Sequence, residues 1–266
     1  MRRTLIPATL LILAATGATG AELALGEGAL LFDQANAFYL SAEKLSGEGN
    51  QEAAAERYNA ARTAYEQLEE AGHARASVLY NLGNTYARLG RWGEAIWAYR
   101  RALWLTPRDA DLIANLSYVR GKSRDAIPGR DLSFVRSVLA WHFGLSFGET
   151  KLLAITSYFL FCISLSVWCF LRSHLLRRVM YVLAVLLVAF AASGVVKFVD
   201  ERLPREAVIV AESVDVLSGP SDAGQPRFRL HSGAEVGLEE FANGWVRINL
   251  DKERRGWVRR SDCRVL

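Results

Sequence analysis

Residues 76–109 read ASVLYNLGNTYARLGRWGEAIWAYRRALWLTPRD, and the pattern in this stretch decides how the chain is organised. Apolar and small side chains recur at three- and four-residue steps, which predicts two consecutive amphipathic helices. The positions that carry the pattern are Leu79, Leu82, Gly83 and Tyr86 in the first half and Ala95, Tyr99 and Ala102 in the second. Gly90 separates the two predicted helices, and Pro107 ends the second.

This spacing resembles that of a tetratricopeptide repeat, with Leu79 where tryptophan is commoner. Gly83 and Ala95 are small because the two helices of such a repeat cross closely there. Tyr86 and Tyr99 would fill the space beside the crossing. The sequence therefore predicts one complete repeat over residues 76–109.

A single repeat cannot bury both of its faces, so neighbouring helices are expected. A degenerate repeat is predicted over residues 35–68, where Gly49, Ala54, Tyr58 and Ala61 match the second-helix pattern and Ala42 replaces the expected glycine. Ile113, Asn115 and Leu116 match Leu79, Asn81 and Leu82 and predict a capping helix over residues 110–124. The predicted helical solenoid spans residues 29–124.

Solenoids of this kind bind peptides or partner helices on a concave face. Tyr80, Asn84 and Arg88 recur at four-residue steps on the first helix of the complete repeat. They are the candidate peptide-groove residues. The alternative interpretation is an ordinary solvated stripe.

The first 21 residues have the three regions of a secretory signal peptide. Arg2 and Arg3 precede an apolar run from Leu5 to Ala15, and small residues follow up to Ala21, where cleavage is predicted. An uncleaved N-terminal anchor is the alternative.

Two further apolar runs, Leu152–Leu171 and Val179–Val196, are each long enough to span a bilayer as a helix, and they predict transmembrane helices over residues 151–171 and 179–198. The segment between them, residues 172–178, contains three arginines and no acidic residue, which predicts a cytoplasmic loop. Both flanking regions would then be periplasmic in a bacterial inner membrane. Residues 130–148 are predicted to form an amphipathic helix at the membrane interface, with Phe134, Val138, Trp141 and Leu145 on one stripe.

The formal charge of +4 is not a nucleic-acid signature. Residues 22–129 carry 12 basic and 14 acidic side chains, and residues 200–266 carry 11 and 12. The excess lies in residues 130–199, with 7 basic and 2 acidic side chains, beside the apolar runs. This distribution indicates membrane topology and membrane lipid as a partner, and it argues against nucleic acid.

Residues 205–266 alternate in short runs that are separated by glycine, asparagine and proline, which predicts five or six antiparallel strands in an all-β barrel. The marks are Val216–Ser221 (VLSGPS), Asn243–Ile248 (NGWVRI) and Gly256–Val258 (GWV). Together they resemble the bacterial SH3-like domain, a family that mediates binding in the cell envelope, in some members to peptidoglycan. Trp245 and Trp257 are the candidate SH3-like surface, and packing within the barrel is the alternative.

No catalytic signature accompanies these domains. The four histidines, at positions 73, 142, 174 and 231, fall in four different segments, and the three cysteines fit neither a zinc site nor a disulfide framework. Glu239 and Glu240 are adjacent on a predicted strand, so we expect them on opposite faces. The sequence therefore predicts no enzyme, no catalytic residue, no metal and no cofactor.

The order of signal peptide, repeats, two spans and SH3-like domain resembles the BatE-like proteins of the Bacteroides-aerotolerance group. The resemblance implies a scaffold for protein–protein interaction in an envelope stress system. It implies as partners membrane proteins with von Willebrand A domains and a cytoplasmic MoxR-type AAA+ ATPase. The alternative function is a peptidoglycan or stem-peptide sensor that acts through the SH3-like domain.

Overall fold

The structure is a computed structural model that describes residues 9–125, 139–202, 205–251 and 253–266, with side chains from residue 26 onward. Contacts within the chain divide it into two compact units, Met1–Gly90 and Arg91–Leu266. The first unit is helical, and the second combines helices with a β-sheet.

The described part of the first unit, residues 9–90, forms three helices: α1 (Thr9–Gly47), α2 (Gln51–Glu70) and α3 (Ala76–Arg88). Gly49 has a φ of +83° in the turn between α1 and α2, a conformation that favours glycine. The Asn50 side chain then accepts from the Ala53 amide at 3.3 Å and caps α2. Residues 9–21 of the predicted signal peptide form the start of α1, and residues 1–8 lie outside the described part.

Small and aromatic side chains form the core of the first unit, as the repeat pattern predicts. Ala42, Ala54 and Tyr58 share one buried cluster. Ala42 has no exposed surface, so the residue that replaces the expected glycine still gives the neighbouring side chains room. Leu79, Leu82 and Tyr86 of α3 are also buried, as residues of a packed helix face should be.

Within the described residues of the second unit, the helices are α4 (Trp92–Leu105), α5 (Ala110–Arg120), α6 (Ala140–Gly144), α7 (Phe147–Leu171) and α8 (His174–Arg202). Asp109 caps α5 by accepting from two backbone amides. The buried face of α5 consists of Leu112, Leu116 and Val119. Ile113, predicted to match the buried Leu79, is 51% exposed. The neighbouring Leu112 takes the buried position instead.

Two helices, α7 and α8, are long and apolar enough to cross a membrane by length and composition. Only Arg172 and Ser173 separate them, and Arg172 adopts a left-handed conformation with a φ of 47°. Helical structure therefore extends into the predicted 172–178 loop, because a helix satisfies its own backbone hydrogen bonds beyond the apolar run.

The described part of the predicted amphipathic segment is not one helix. Leu145 is extended and Ser146 begins α7 with a capping box, in which its side chain and that of Glu149 each accept from the other's amide. Lys197 of α8 donates to the Leu145 carbonyl at 2.6 Å and to Thr150 Oγ1 at 3.0 Å. These bonds tie the break between α6 and α7 to α8. Phe134 and Val138 lie outside the described residues.

A seven-stranded antiparallel sheet completes the second unit, in the order β3-β2-β6-β5-β4-β1-β7. Its strands are β1 (Glu206–Ile209), β2 (Ser213–Leu217), β3 (Pro226–His231), β4 (Glu235–Ala242), β5 (Trp245–Asn249), β6 (Arg255–Arg259) and β7 (Cys263–Val265). The sequence predicts five or six strands, and the described residues form seven. We call this region, residues 205–266, the sheet domain.

The side chains of all seven strands meet in one apolar core, which includes Val216, Val236, Ile248, Val258 and Cys263. Burial raises the pKa of the Cys263 thiol. The two end strands, β3 and β7, do not pair with each other among the described residues, so the sheet is open where the sequence predicts a closed or nearly closed barrel.

Candidate functional site

The candidate groove residues Tyr80, Asn84 and Arg88 all lie on α3 at the predicted four-residue steps. Tyr80 and Asn84 are half-buried, and Arg88 is exposed at the end of the helix. One helix therefore carries all three on one face, within the first unit.

Arg88 is held by α1. Its Nη2 donates to Glu43 Oε2 at 3.0 Å, and the Tyr58 hydroxyl donates to Glu43 Oε1 at 2.5 Å. The hydrogen bond with Tyr39 and the charge of Glu43 outweigh desolvation and raise the pKa of Arg88. Burial, followed by the hydrogen bond and the charge of Glu43 as smaller causes, raises the pKa of the Tyr58 hydroxyl. The guanidinium is thus a fixed, charged group whose carboxylate partner is Glu43 of α1.

A second polar cluster joins α1, α2 and α3. Asn36 Oδ1 accepts from the Tyr65 hydroxyl at 2.5 Å and from Asn81 Nδ2 at 2.9 Å. Burial raises the pKa of Tyr65 to about 12, so its hydroxyl stays a donor at neutral pH. The three helices of the first unit are therefore linked by hydrogen bonds through Asn36.

The sheet domain is joined to α4 by a contact that sequence reasoning did not find. The Gly93 amide donates to Ser232 Oγ at 3.0 Å, and Trp97 Nε1 donates to the Val265 carbonyl at 2.8 Å. A Cβ on Gly93 would lie 2.6 Å from Ser232 Oγ and would also collide with the Ile209 carbonyl. Only glycine allows α4 to approach the sheet this closely.

Charged side chains extend this contact. Glu235 of β4 accepts from Arg120 Nε at 2.6 Å and from Arg120 Nη2 at 2.9 Å, a bidentate arrangement. Arg100 of α4 pairs with both Glu235 and Glu206. We call these four residues the junction cluster.

The pKa values of the junction cluster follow from this geometry. Burial alone would raise the pKa of Glu235, but the hydrogen bonds and charges of Arg120 and Arg100 outweigh it and lower that pKa. Burial likewise disfavours the charged form of Arg100. The carboxylates of Glu235 and, to a smaller extent, Glu206 outweigh this effect and raise the pKa of Arg100. Each side of the cluster keeps the other charged.

The segment after α5 adds a third set of contacts. Ser123 Oγ donates to the Ser232 carbonyl at 3.0 Å, and Asp125 Oδ2 accepts from the His231 amide at 2.6 Å. Gly233, with a φ of +93°, has Ser123 where a side chain would project. We call the whole contact of α4, α5 and residues 121–125 with the sheet domain the helix–sheet junction.

Two tryptophans of the sheet domain share one face. Trp245 lies opposite Arg259, and Trp257 lies opposite Arg247, on neighbouring strands. Alternate residues of a strand project to the same side, so Trp245 and Trp257 lie on the face opposite the buried Val246. The structure therefore places the two candidate SH3-like surface residues on the same face of neighbouring strands, with Trp257 buried.

The two tryptophans differ in exposure. Trp257 is 9% exposed, whereas Trp245 is half-buried and carries the Arg259 guanidinium 5.2 Å above its ring. Asp222 pairs with Arg259 at 2.5 Å. Trp245 is thus the more accessible aromatic surface, with a cation stacked on it.

Glu239 and Glu240 do not follow the predicted alternation. The register shifts between Leu238 and Glu240, a bulge that lets both carboxylates reach Arg247, at 3.3 and 3.9 Å. Glu239 also lies 3.5 Å from Arg255. The two acids are therefore neutralised by arginines.

Within the described ranges, no group of three or more His, Cys, Asp or Glu side chains could hold a metal ion. His231 lies beside Asp125, His142 beside Ser193 and His174 beside Arg177, so these three belong to different local clusters.

The comparison with protein families identifies one region of the chain. A tetratricopeptide-repeat model matches residues 76–109, the stretch that forms α3 and α4. No curated protein matches the chain.

Proposed function

We propose that this chain is a non-enzymatic scaffold of a bacterial inner membrane, which presents its repeat module and its sheet domain to protein partners. Tetratricopeptide repeats generally act by binding proteins, and the matched repeat carries this proposal. The partner is bound, and no chemistry is performed on it.

The helix–sheet junction supports a scaffold with fixed geometry. Trp97 and the junction cluster hold the sheet domain against the second helix of the repeat. A partner that contacts both would meet a preformed surface, which lowers the entropic cost of binding.

The membrane part of the proposal rests on α7 and α8. Both pass the length and composition test for spanning helices, and the arginines Arg172, Arg177 and Arg178 lie where they meet. The positive-inside rule then assigns that end to the cytoplasm and both modules to the periplasm. Contact between α4 and the sheet domain requires one common side, which a two-span hairpin provides.

The partner assignment follows the architectural resemblance. In the Bacteroides-aerotolerance group, the partners are membrane proteins with von Willebrand A domains, associated with a cytoplasmic MoxR-type ATPase. A periplasmic repeat module would engage the former directly. Envelope stress is the process that this system serves.

The sensor function is the second candidate, favoured by the partly exposed ring of Trp245 with the Arg259 guanidinium above it. An aromatic face with arginines beside it suits a peptidoglycan stem peptide, whose carboxylates would meet Arg259. The sheet domain would then be an SH3-like module.

Photo-crosslinking in cells tests the scaffold function. A crosslinking amino acid at Asn84 should capture a membrane protein with a von Willebrand A domain, identified by mass spectrometry. The same amino acid at Arg57, an exposed position on α2, serves as the matched control and should capture none. Binding of the full chain to purified sacculi, lost in Trp245→Ala and with no crosslink at position 84, would favour the sensor instead.

A further inference from the structure

A groove of about 300 Å³ lies between α7 and α8. Its lining is almost entirely apolar and includes Phe147, Ile155, Phe190, Ala191 and Phe198, with Lys151 as the charged residue. Neither the scaffold nor the sensor function uses this groove.

The groove runs along the helices. Phe147 and Ile155 are eight residues apart on α7, as are Phe190 and Phe198 on the antiparallel α8, so each wall is about 12 Å long. Phe147 lies at the start of α7 and Phe198 near the end of α8, so the groove begins at the open end of the hairpin. In a bilayer it would run from headgroup depth into the hydrocarbon region, as an acyl chain does.

Two cations flank the headgroup end. Lys151 Nζ lies 4.7 Å above the Phe147 ring, and Arg202 Cζ lies 5.1 Å above the Phe198 ring. Both rings line the groove, so each stacked cation is held at its mouth. Both side chains are exposed.

Two other charged side chains near this end have partners of their own. Glu149 pairs with Arg108, and Lys197 is directed inward to the Leu145 carbonyl. Asp200 and Glu201 precede Arg202 on α8, and neither is among the residues that line the groove.

We infer that the groove binds one anionic glycerophospholipid, with an acyl chain along the aromatic walls and the phosphate between Lys151 and Arg202. The inference rests on the proposed membrane insertion of α7 and α8. A partner's transmembrane helix is the other possible occupant. It would need an acidic residue of its own at headgroup depth, whereas lipid phosphate is always present there.

The test is native mass spectrometry of the full chain in detergent, with added phosphatidylglycerol or phosphatidylethanolamine. The wild type should retain one phosphatidylglycerol in preference to phosphatidylethanolamine. Each cation near a membrane surface contributes about fivefold in affinity for anionic lipid, so Lys151→Gln with Arg202→Gln should reduce the preference roughly 25-fold. Ala191→Phe should fill the groove and abolish retention of either lipid.

Matched controls separate this site from general charge effects. Arg172→Gln with Arg177→Gln removes two cations at the opposite end of the hairpin and should leave the preference unchanged. An unchanged preference in the Lys151 and Arg202 variant would overturn the inference. So would a wild type that binds no lipid, together with an Ala191→Cys variant that forms a crosslinked dimer.

Membrane insertion itself is measured separately by extraction of membranes with alkaline carbonate. If the wild type is released, the membrane part of the proposed function fails, and the lipid site with it. If it stays in the membrane and shows no lipid preference, only the lipid site is refuted.

Discussion

Replacing Glu235 by glutamine should loosen the helix–sheet junction. The carboxylate accepts two hydrogen bonds from Arg120 and pairs with Arg100, and glutamine keeps the shape but removes the charge. Hydrogen bonds to charged groups contribute about 1.5–3 kcal/mol each, but the arginines are partly exposed and water screens the pair. We therefore expect a loss of about 1–2 kcal/mol, which is a factor of roughly 5–30 in the opening equilibrium.

Hydrogen–deuterium exchange of the full chain measures this opening. Amides of α4 and β7 should exchange about 5–30 times faster in Glu235→Gln than in the wild type. The matched control is Asp215→Asn, which breaks an exposed pair with Arg229 on the far strands and should leave α4 unchanged. Equal protection of α4 in Glu235→Gln and the wild type would refute the assigned role of the junction cluster.

The same variant has a pH signature. The pKa of Glu235 is lower in the folded protein than in the unfolded chain. The contribution of this carboxylate to the stability of the helix–sheet junction is therefore complete above the ordinary glutamate pKa. It is lost as the pH falls through the lowered folded value. Protection of α4 in the wild type should therefore decrease on acidification below the ordinary glutamate range. Glu235→Gln should lack this component.

Three further changes test other parts of the structure. Gly93→Val should separate α4 from the sheet and speed hydrogen–deuterium exchange of the β7 amides at least tenfold. Gly148→Ala, where a methyl group has ordinary space, should leave that exchange rate unchanged. Lys197→Met should leave the Leu145 carbonyl without its donor, cost about 1–3 kcal/mol, and increase proteolysis at the α6–α7 break. The Asp251 carboxylate accepts hydrogen bonds from two backbone amides and from one arginine side chain, so its pKa measured by NMR should be about 2. The turn should weaken only as the pH falls towards that value. An ordinary aspartate pKa would contradict the turn geometry.

The repeat helices could be predicted because their signal is local. Ala54 and Ala95 are buried where two helices must approach, and Tyr58 and Tyr99 are buried beside them. The strands likewise follow from alternation within a few residues. The capping box at Ser146 was also present in the sequence as Ser-x-x-Glu, and it would have predicted the break before α7.

The helix–sheet junction could not be predicted in the same way. Trp97 and Val265 are far apart in the chain, and no local pattern links them. Strand β7 is three residues long, too short to show alternation, and pairs with β1 across the whole sheet domain. Gly93 within a helix was the one local hint, because glycine there weakens a helix unless a neighbour needs the space.

Topology is the most direct test of the membrane-anchored scaffold. Alkaline phosphatase and a fluorescent protein would be fused in turn after Lys122, after Arg177 and after Leu266. Phosphatase activity at the first and last sites, with fluorescence only at the middle one, is the predicted result. Fluorescence at the first and last sites would put both modules in the cytoplasm and contradict the account.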